Sequence, residues 1–362
     1  MGNYILRRLL LIPPTLFGIL LINFCIIQVA PGGPVEQMIN TIQGNEVGNT
    51  DRTSGSSASF ESTQQQDNNQ YRGAQGLPPE IIEDIKKLYG FDKPVHLRFW
   101  DMLVSYMRFD FGDSFFRNTA VIDLILEKMP VTISLGLWST LLIYMISIPM
   151  GIYKAVHHGS RFDIWSSAVV IVANAIPSFI LGILLIVLFA GGSFVDWFPL
   201  RGLSSSDFEQ MTWLGKIKDY FWHLTLPLIA YTIGGFATLT LLTKNAFLDE
   251  INKQYVATAK AKGLSQKHVL YGHVFRNAML IVIAGFPAAF LGIFLADSLL
   301  IEVIFSLDGL GRLGFESILN RDYPVIFGTL FIFTLLALVV KLISDLVYVL
   351  IDPRIDFESR QT

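Results

Sequence analysis

The sequence predicts an all-α polytopic membrane protein with six transmembrane helices. Three observations predict it. Of 362 residues, 52% are hydrophobic and only 16% are charged, against about 25% charged in soluble domains. Six apolar stretches lie at 9–30, 131–153, 164–192, 224–243, 278–300 and 328–350, each long enough for the roughly 20 helical residues that cross a bilayer's hydrocarbon core. Those stretches hold three charged residues, Asp297, Lys341 and Asp345, although the chain carries 27 basic and 30 acidic ones. A net charge of −3 argues against a basic nucleic-acid-binding domain, and a mean hydropathy of +0.50 argues against disorder or collagen. The single cysteine excludes a disulfide framework and a cysteine-based zinc cluster.

The first stretch follows Arg7 and Arg8 and ends in small residues at Val29 and Ala30, as a secretory signal peptide does. Its apolar run is longer than the 7 to 15 residues or so of a signal h-region. It is therefore expected to stay in place as the first span. Basic residues in short loops set orientation. With the N-terminus inside, twelve Lys and Arg residues fall in cytoplasmic segments, among them Lys154, Lys244, Lys260, Lys262 and Arg276. Five fall in the two short outer loops: Arg201, Lys216, Lys218, Arg312 and Arg321. Both termini are accordingly expected in the cytoplasm.

Residues 31–130 form the long outer segment. From Gly44 to Gly76 it has five apolar residues in 33, too few to offset chain entropy, so a mobile loop is expected. Pro78 and Pro79 then open a run in which Ile81, Ile82, Ile85, Leu88 and Tyr89 recur at helical spacing before Gly90. A second amphipathic stretch covers 97–115. The two predict a small helical cap. Residues 131–350 form the membrane core and 351–362 a cytoplasmic tail. The aromatic-rich outer loop from Ser193 to Trp222 suits either interfacial anchoring or contact with a partner. Prolines at 13, 14, 149, 177, 227 and 287 lie in or beside spans, where they can kink helices.

No catalytic pattern emerges. The six histidines form no metal-ligand spacing, His157 and His158 being adjacent in a short inner loop, and no GxxxxGK[ST] loop cradles a nucleotide. "GLGRLG", Gly309 to Gly314, fits GxGxxG, but it follows a transmembrane helix rather than a strand, so a tight turn is expected. Lys341 and Asp345, four apart on one helical face, are expected to pair with each other.

The loop between spans four and five, 247–277, is long for a mere connection. Its centre, Tyr255 to Gly263, interleaves Ala257, Ala259, Ala261 and Gly263 with Thr258, Lys260 and Lys262. The Ala and Lys content favours a short helix, with Gly263 suited to end it in a left-handed conformation. Small side chains allow close approach, Tyr255 offers an aromatic anchor, and the lysines suit an acidic groove. Physically it is a peg tied at both ends to membrane helices.

This loop resembles the cytoplasmic EAA loop of ABC-importer permeases. It is closest to the peptide-importer branch, in the runs from Tyr255 to Leu264 and from His273 through Arg276 and Asn277 to Ala278; the Glu and final Pro of the general pattern are absent. "YILRRLLLIPPTLFGILLINFCIIQVAPGGP", "YGFDKPVHLRFW", "AIPSFI" and "GLGRLGFESILNRDYPVIFG" likewise resemble B-type oligopeptide and dipeptide permeases. The longer outer insertion, "SLLIEVIFSLDGLG" and "IDPRIDFE" resemble the Yej branch, importers of peptides and of the peptide antibiotic microcin C.

The resemblance implies a type I ABC-importer permease fold with a large helical periplasmic insertion after helix 1. It implies an ATPase-coupling role for Tyr255, Ala257, Thr258, Ala259, Lys260, Gly263, His273, Arg276 and Asn277, and an outer turn at Gly309, Gly311, Arg312 and Asp322. It implies no cofactor on this chain, with ATP and Mg²⁺ on a partner, and no nucleic acid. The expected partners are a second permease subunit forming a heterodimer, a cytoplasmic ABC ATPase, a periplasmic peptide-binding protein, a peptide substrate and the lipid bilayer. A secondary carrier would need an inverted repeat and more intramembrane ionisable groups than are present. A receptor-like channel subunit would leave the peg unexplained.

Overall fold

The computed structural model describes residues 2–29, 93–117, 119–191, 194–295 and 297–351. The expected mobile stretch at 44–76, the helix over 78–90 and the tail from 352 lie outside these residues. Regular structure among the described residues is helical. In chain order it comprises α1 (Gly2–Val29), α2 (Val95–Met107), α3 (Val121–Val156), α4 (Arg161–Asn174), α5 (Ser178–Phe189), a 3₁₀ turn (Phe208–Gln210) and α6 (Trp213–Ile251). There follow α7 (Gln254–Ala261), α8 (Gln266–Val269), a π-helical turn (Leu270–Val274), α9 (Phe275–Leu295), α10 (Asp297–Ile304), α11 (Leu310–Asn320) and α12 (Tyr323–Ile351).

Among the described residues, five segments are long and apolar enough to cross a membrane: Arg8–Ile26, α3, α6, Gln266–Pro287 and Tyr323–Val347. The apolar stretch at 164–192 is not one helix. It is α4 and α5, bent by 93° at their junction. Pro177 causes the break: its ring disfavours a helical conformation at Ile176, and it has no N–H to extend the α4 ladder. Ile176 N closes back on Ala173 O at 3.3 Å, and Leu181 N opens the next ladder on Pro177 O at 3.1 Å. Pro13, Pro14, Pro149, Pro227 and Pro287 sit inside continuous helices.

The described residues divide into two compact units. One is built on Glu127–Leu313 with parts of both chain ends, the other on Leu9–Leu126 and Gly314–Leu335. In the first, one apolar cluster gathers Leu135, Leu224, Ala230, Ile301 and Leu307, and a second gathers Phe247, Val256, Val269, Val274 and Val282. An ionic node ties three helices of this unit. Asp163 near the start of α4 accepts from Lys244 of α6 at 2.7 and 2.9 Å, and lies 3.3 Å from Nζ of Lys154 at the end of α3. Lys154 is fully buried and also donates to the Ser166 and Ser167 hydroxyls at 2.6 and 2.8 Å. A buried ammonium with its protons satisfied avoids the desolvation cost of an unpaired one.

The second unit packs Tyr106 against Phe111, ring centroids 4.9 Å apart, and Phe111 against Phe331 at 5.6 Å. The amphipathic stretch at 97–115 is helical only to Met107. Phe109 and Gly112 then take positive φ, 59° and 77°, and a single bridge joins Asp113 to Ala120.

The intramembrane charges also depart from expectation. Asp345 pairs not with Lys341 but with Arg8 of α1, at 3.0 Å, and the Lys341 side chain is exposed. A full guanidinium reaches across from the neighbouring helix where an i, i+4 lysine on the same helix does not.

Candidate functional site

The loop between the fourth and fifth spans is built by stopping and restarting helices. Helix α6 ends after Ile251, and α7 begins one turn later from Lys253. Alanine and lysine carry α7 for eight residues. It ends in a two-bond cap: Gly263 N donates to Lys260 O at 3.0 Å and Leu264 N to Ala259 O at 3.4 Å, with Gly263 at φ +79°. That reciprocal pattern requires a left-handed residue, which glycine supplies without a Cβ penalty. Ser265 starts α8 by accepting from His268 N at 3.4 Å.

One face of α7 is sunk into the unit's core. Val256 and Ala259, three apart, pack with Phe247, Val269 and Val274. Ala257, Thr258, Lys260, Ala261, Lys262 and Gly263 face out. Ala259, expected to help a partner approach, instead lets α7 lie close on its own bundle. Tyr255 likewise serves the chain's own structure. Its hydroxyl donates to Glu250 at the end of α6 (2.6 Å) and accepts from Asn277 Nδ2 in α9 (3.2 Å). Partial burial and the bond to Glu250 push the phenol pKa up. Lys253 also pairs with Glu250, which raises the ammonium's pKa. Glu250 thus fastens the junction of α6 and α7, and Tyr255 fastens α7 to α9.

Beyond α8 the helix widens into a π turn, a distortion frequent at functional sites. It presents Tyr271 and His273 outward, with the His273 ring 6.1 Å from that of His268. Arg276 and Asn277 lie exposed on the first turn of α9. The nine loop residues expected to work together therefore form one continuous region. Seven of them are exposed, Ala259 is buried, and Tyr255 is partly so.

The glycine turn has a different centre from the one its motif suggested. Glu302 of α10 is fully buried; its Oε1 accepts from the Thr132 hydroxyl at 2.8 Å and its Oε2 from Arg312 N at 2.9 Å. Thr132 Oγ1 in turn accepts from Leu310 N at 2.8 Å. The N-terminus of α11 thus wraps an internal carboxylate, as such termini receive anions generally. A Cβ on Gly309 would lie 2.5 Å from Glu302 Cδ, and one on Gly311 would lie 2.8 Å from Leu299 Cα. Arg312 reaches Ser306 O at 3.2 Å. Asp322 belongs to the other compact unit. There it accepts from the Ser114 hydroxyl at 2.5 Å and from Phe115 N at 3.3 Å, and burial pushes its pKa up. The structure thus brings Gly309, Gly311 and Arg312 together around one carboxylate and gives Asp322 its own partners. The sequence pattern missed Glu302, although a lone acid beside an apolar run, seven residues before a Gly-x-Gly, was the available signal.

Against known proteins, residues 147–357 match the family model described as binding-protein-dependent transport system inner membrane component. The chain is 62% identical to the peptidoglycan transport system permease protein YejB of Agrobacterium fabrum, covering 99% of this chain and all of that protein. It is 58% identical, with the same coverage, to the inner membrane ABC transporter permease protein YejB of Escherichia coli O157:H7. It is 33% identical to the oligopeptide transport system permease protein AppB of Bacillus subtilis, over 99% of this chain and all of that one. Among solved structures, an inward-facing form of the MetNI methionine ABC transporter matches with a TM-score of 0.50 at 15% identity. The match covers 64% of this chain and 97% of the other, a likeness of fold.

Proposed function

This chain belongs to the family of binding-protein-dependent transport system inner membrane components, and from that premise we propose how it works and on what. It is the multi-pass, inner-membrane permease subunit of an ABC importer. Its cargo is peptides, with microcin C-like peptide antibiotics among the candidates. It has both termini in the cytoplasm and pairs with a second, related permease as a heterodimer. A periplasmic peptide-binding protein delivers the substrate to the opposite face. The chain catalyses nothing and binds no cofactor; ATP and Mg²⁺ sit on the cytoplasmic ATPase.

Helix α7 is the part that receives the ATPase's motion. One observation carries this reading: α7 is fixed to the ends of α6 and α9 through Val256, Ala259 and Tyr255 while its other face stays open. A push on a helix held this way moves two spans together. ATP binding then biases an inward/outward equilibrium, and taking it from 1:99 to 99:1 needs about 5.5 kcal/mol of differential binding.

The test is a bulky residue on the open face. Ala257→Trp, in the complete transporter, should abolish peptide-stimulated ATP hydrolysis while the subunit's melting temperature stays unchanged. Undiminished stimulation would remove α7 from the coupling path. Copurification of an ATPase, a second permease and a peptide-binding protein with the detergent-solubilised chain checks the partners.

A further inference from the structure

A cavity of about 570 Å³ opens beside the break in the third span, walled by α3, the α4–α5 junction, α6 and α9. Its size is that of an ordinary small-ligand pocket. Among the described residues that line it none is acidic, basic or a histidine, yet Asn174, Ser178, Tyr144 and Tyr231 bring polar groups to it. The Asn174 carboxamide, exposed at the end of α4, lies 4.0 Å from the Cβ that Gly234 would carry, and no hydrogen bond engages it among the described residues.

The glycines of the wall add an independent observation. A Cβ placed on Gly285 would meet nothing within 4 Å, and the same holds for Gly292. Gly235, close by, is filled against Ile143 Cδ1 at 2.6 Å, and Gly151 against Thr243 Cβ at 2.6 Å. Helix-interior glycine is less stable than alanine. At Gly151 and Gly235 close packing explains it, whereas at Gly234, Gly285 and Gly292 the glycine only keeps space empty. Irregular backbone at membrane depth is tolerated where it is buried in protein or lines a wet cavity. The break at Ala175–Pro177 is such a backbone, beside that space.

We propose that this cavity holds the main chain of the peptide in transit, with Asn174 and Ser178 bonding its amides and with no charge selection among its side chains. The proposal deepens the transport reading above and rests on it. A carboxamide donates and accepts at once, which matches a peptide group, and an uncharged wall neither attracts nor repels a lysine or glutamate side chain.

The test uses the complete transporter in proteoliposomes and tripeptides of equal length that are neutral, lysine-containing or glutamate-containing. Asn174→Asp should raise the lysine-to-glutamate uptake ratio at least tenfold over the unsubstituted complex. Gly234→Leu and Gly285→Leu should cut uptake of tryptophan-containing tripeptides far more than that of trialanine, with the complex still assembled. An unsubstituted transporter that imports peptides, beside variants with unaltered charge and size profiles, overturns this proposal alone. Failure of the leucine variants to assemble also overturns it, because the open glycines then mark a subunit contact. An unsubstituted transporter that imports no peptide overturns the function reading itself.

Discussion

At Glu302 a carboxylate accounts for Gly309, and together with the Leu299 backbone for Gly311, in a turn that the sequence could only mark as tight. Gly309→Ala drives a methyl into the Glu302 carboxyl group at 2.5 Å, whereas a Cβ on Gly314, in the next turn, meets nothing within 4 Å. Overpacking of this kind costs about 1–3 kcal/mol. Gly309→Ala should therefore lower the melting temperature of the solubilised subunit by several degrees, and Gly314→Ala should leave it level or raise it. Asp322 makes a pH prediction. Its folded pKa is raised above the unfolded value of about 3.9, so the folded state holds the proton more tightly. Its contribution to stability is full below the unfolded value and falls as pH rises through the folded one. Melting curves across that acid range should show this slope in the natural chain and not in Asp322→Asn.

At the scale of elements, α7 was legible and its orientation was not. Ala and Lys content gives the helix and Gly263 its end, but strict alternation of small residues looks the same from either face. Only Val256 and Ala259, three apart and packed in the core, settle which face is inward. Ala259→Leu should accordingly destabilise the subunit, while Ala257→Leu should be tolerated, as compared by thermal melting. Tyr255→Phe removes the hydroxyl that joins Glu250 to Asn277, a loss of about 0.5–1.5 kcal/mol for bonds whose partners still reach water. Faster hydrogen exchange at α7 amides, with exchange in α3 unchanged, is the expected readout. The third span shows the converse: hydropathy placed the apolar stretch correctly, but a proline that bends a helix by 93° is indistinguishable in sequence from those embedded in continuous ones. What decides is whether neighbours re-satisfy the freed backbone, and that is a tertiary property.

Over the whole molecule, charge sorting found the apolar stretches, five of them single spanning-length helices among the described residues and one a bent pair, because lipid penalises every unpaired charge, and so it also pointed to Asp345. It could not name the partner, since Arg8 is more than three hundred residues away in the chain. With Arg8 replaced, Asp345 remains near the end of a membrane helix without its partner, at a cost below the roughly 2.5–3.5 kcal/mol of a charge at the helix centre. Arg8→Met should reduce the membrane yield of the intact chain, and Asp345→Asn in the same chain should restore it. Equal yields for the single and double variants would show the pair to be idle.

During synthesis the third span leaves the ribosome before α6 exists. At that moment it is one apolar run of ordinary spanning length, whereas α4 and α5, with 14 and 12 residues, are about 21 and 18 Å long at 1.5 Å per residue. Neither alone covers the roughly 30 Å of hydrocarbon. The run is thus suited to enter the bilayer as a single insertion signal, and α6, when it arrives, packs on both halves and supplies Lys244 to Asp163. The break itself is set locally by Pro177, so a chain truncated before α6 would already carry it and would lack only the packing that holds the two halves.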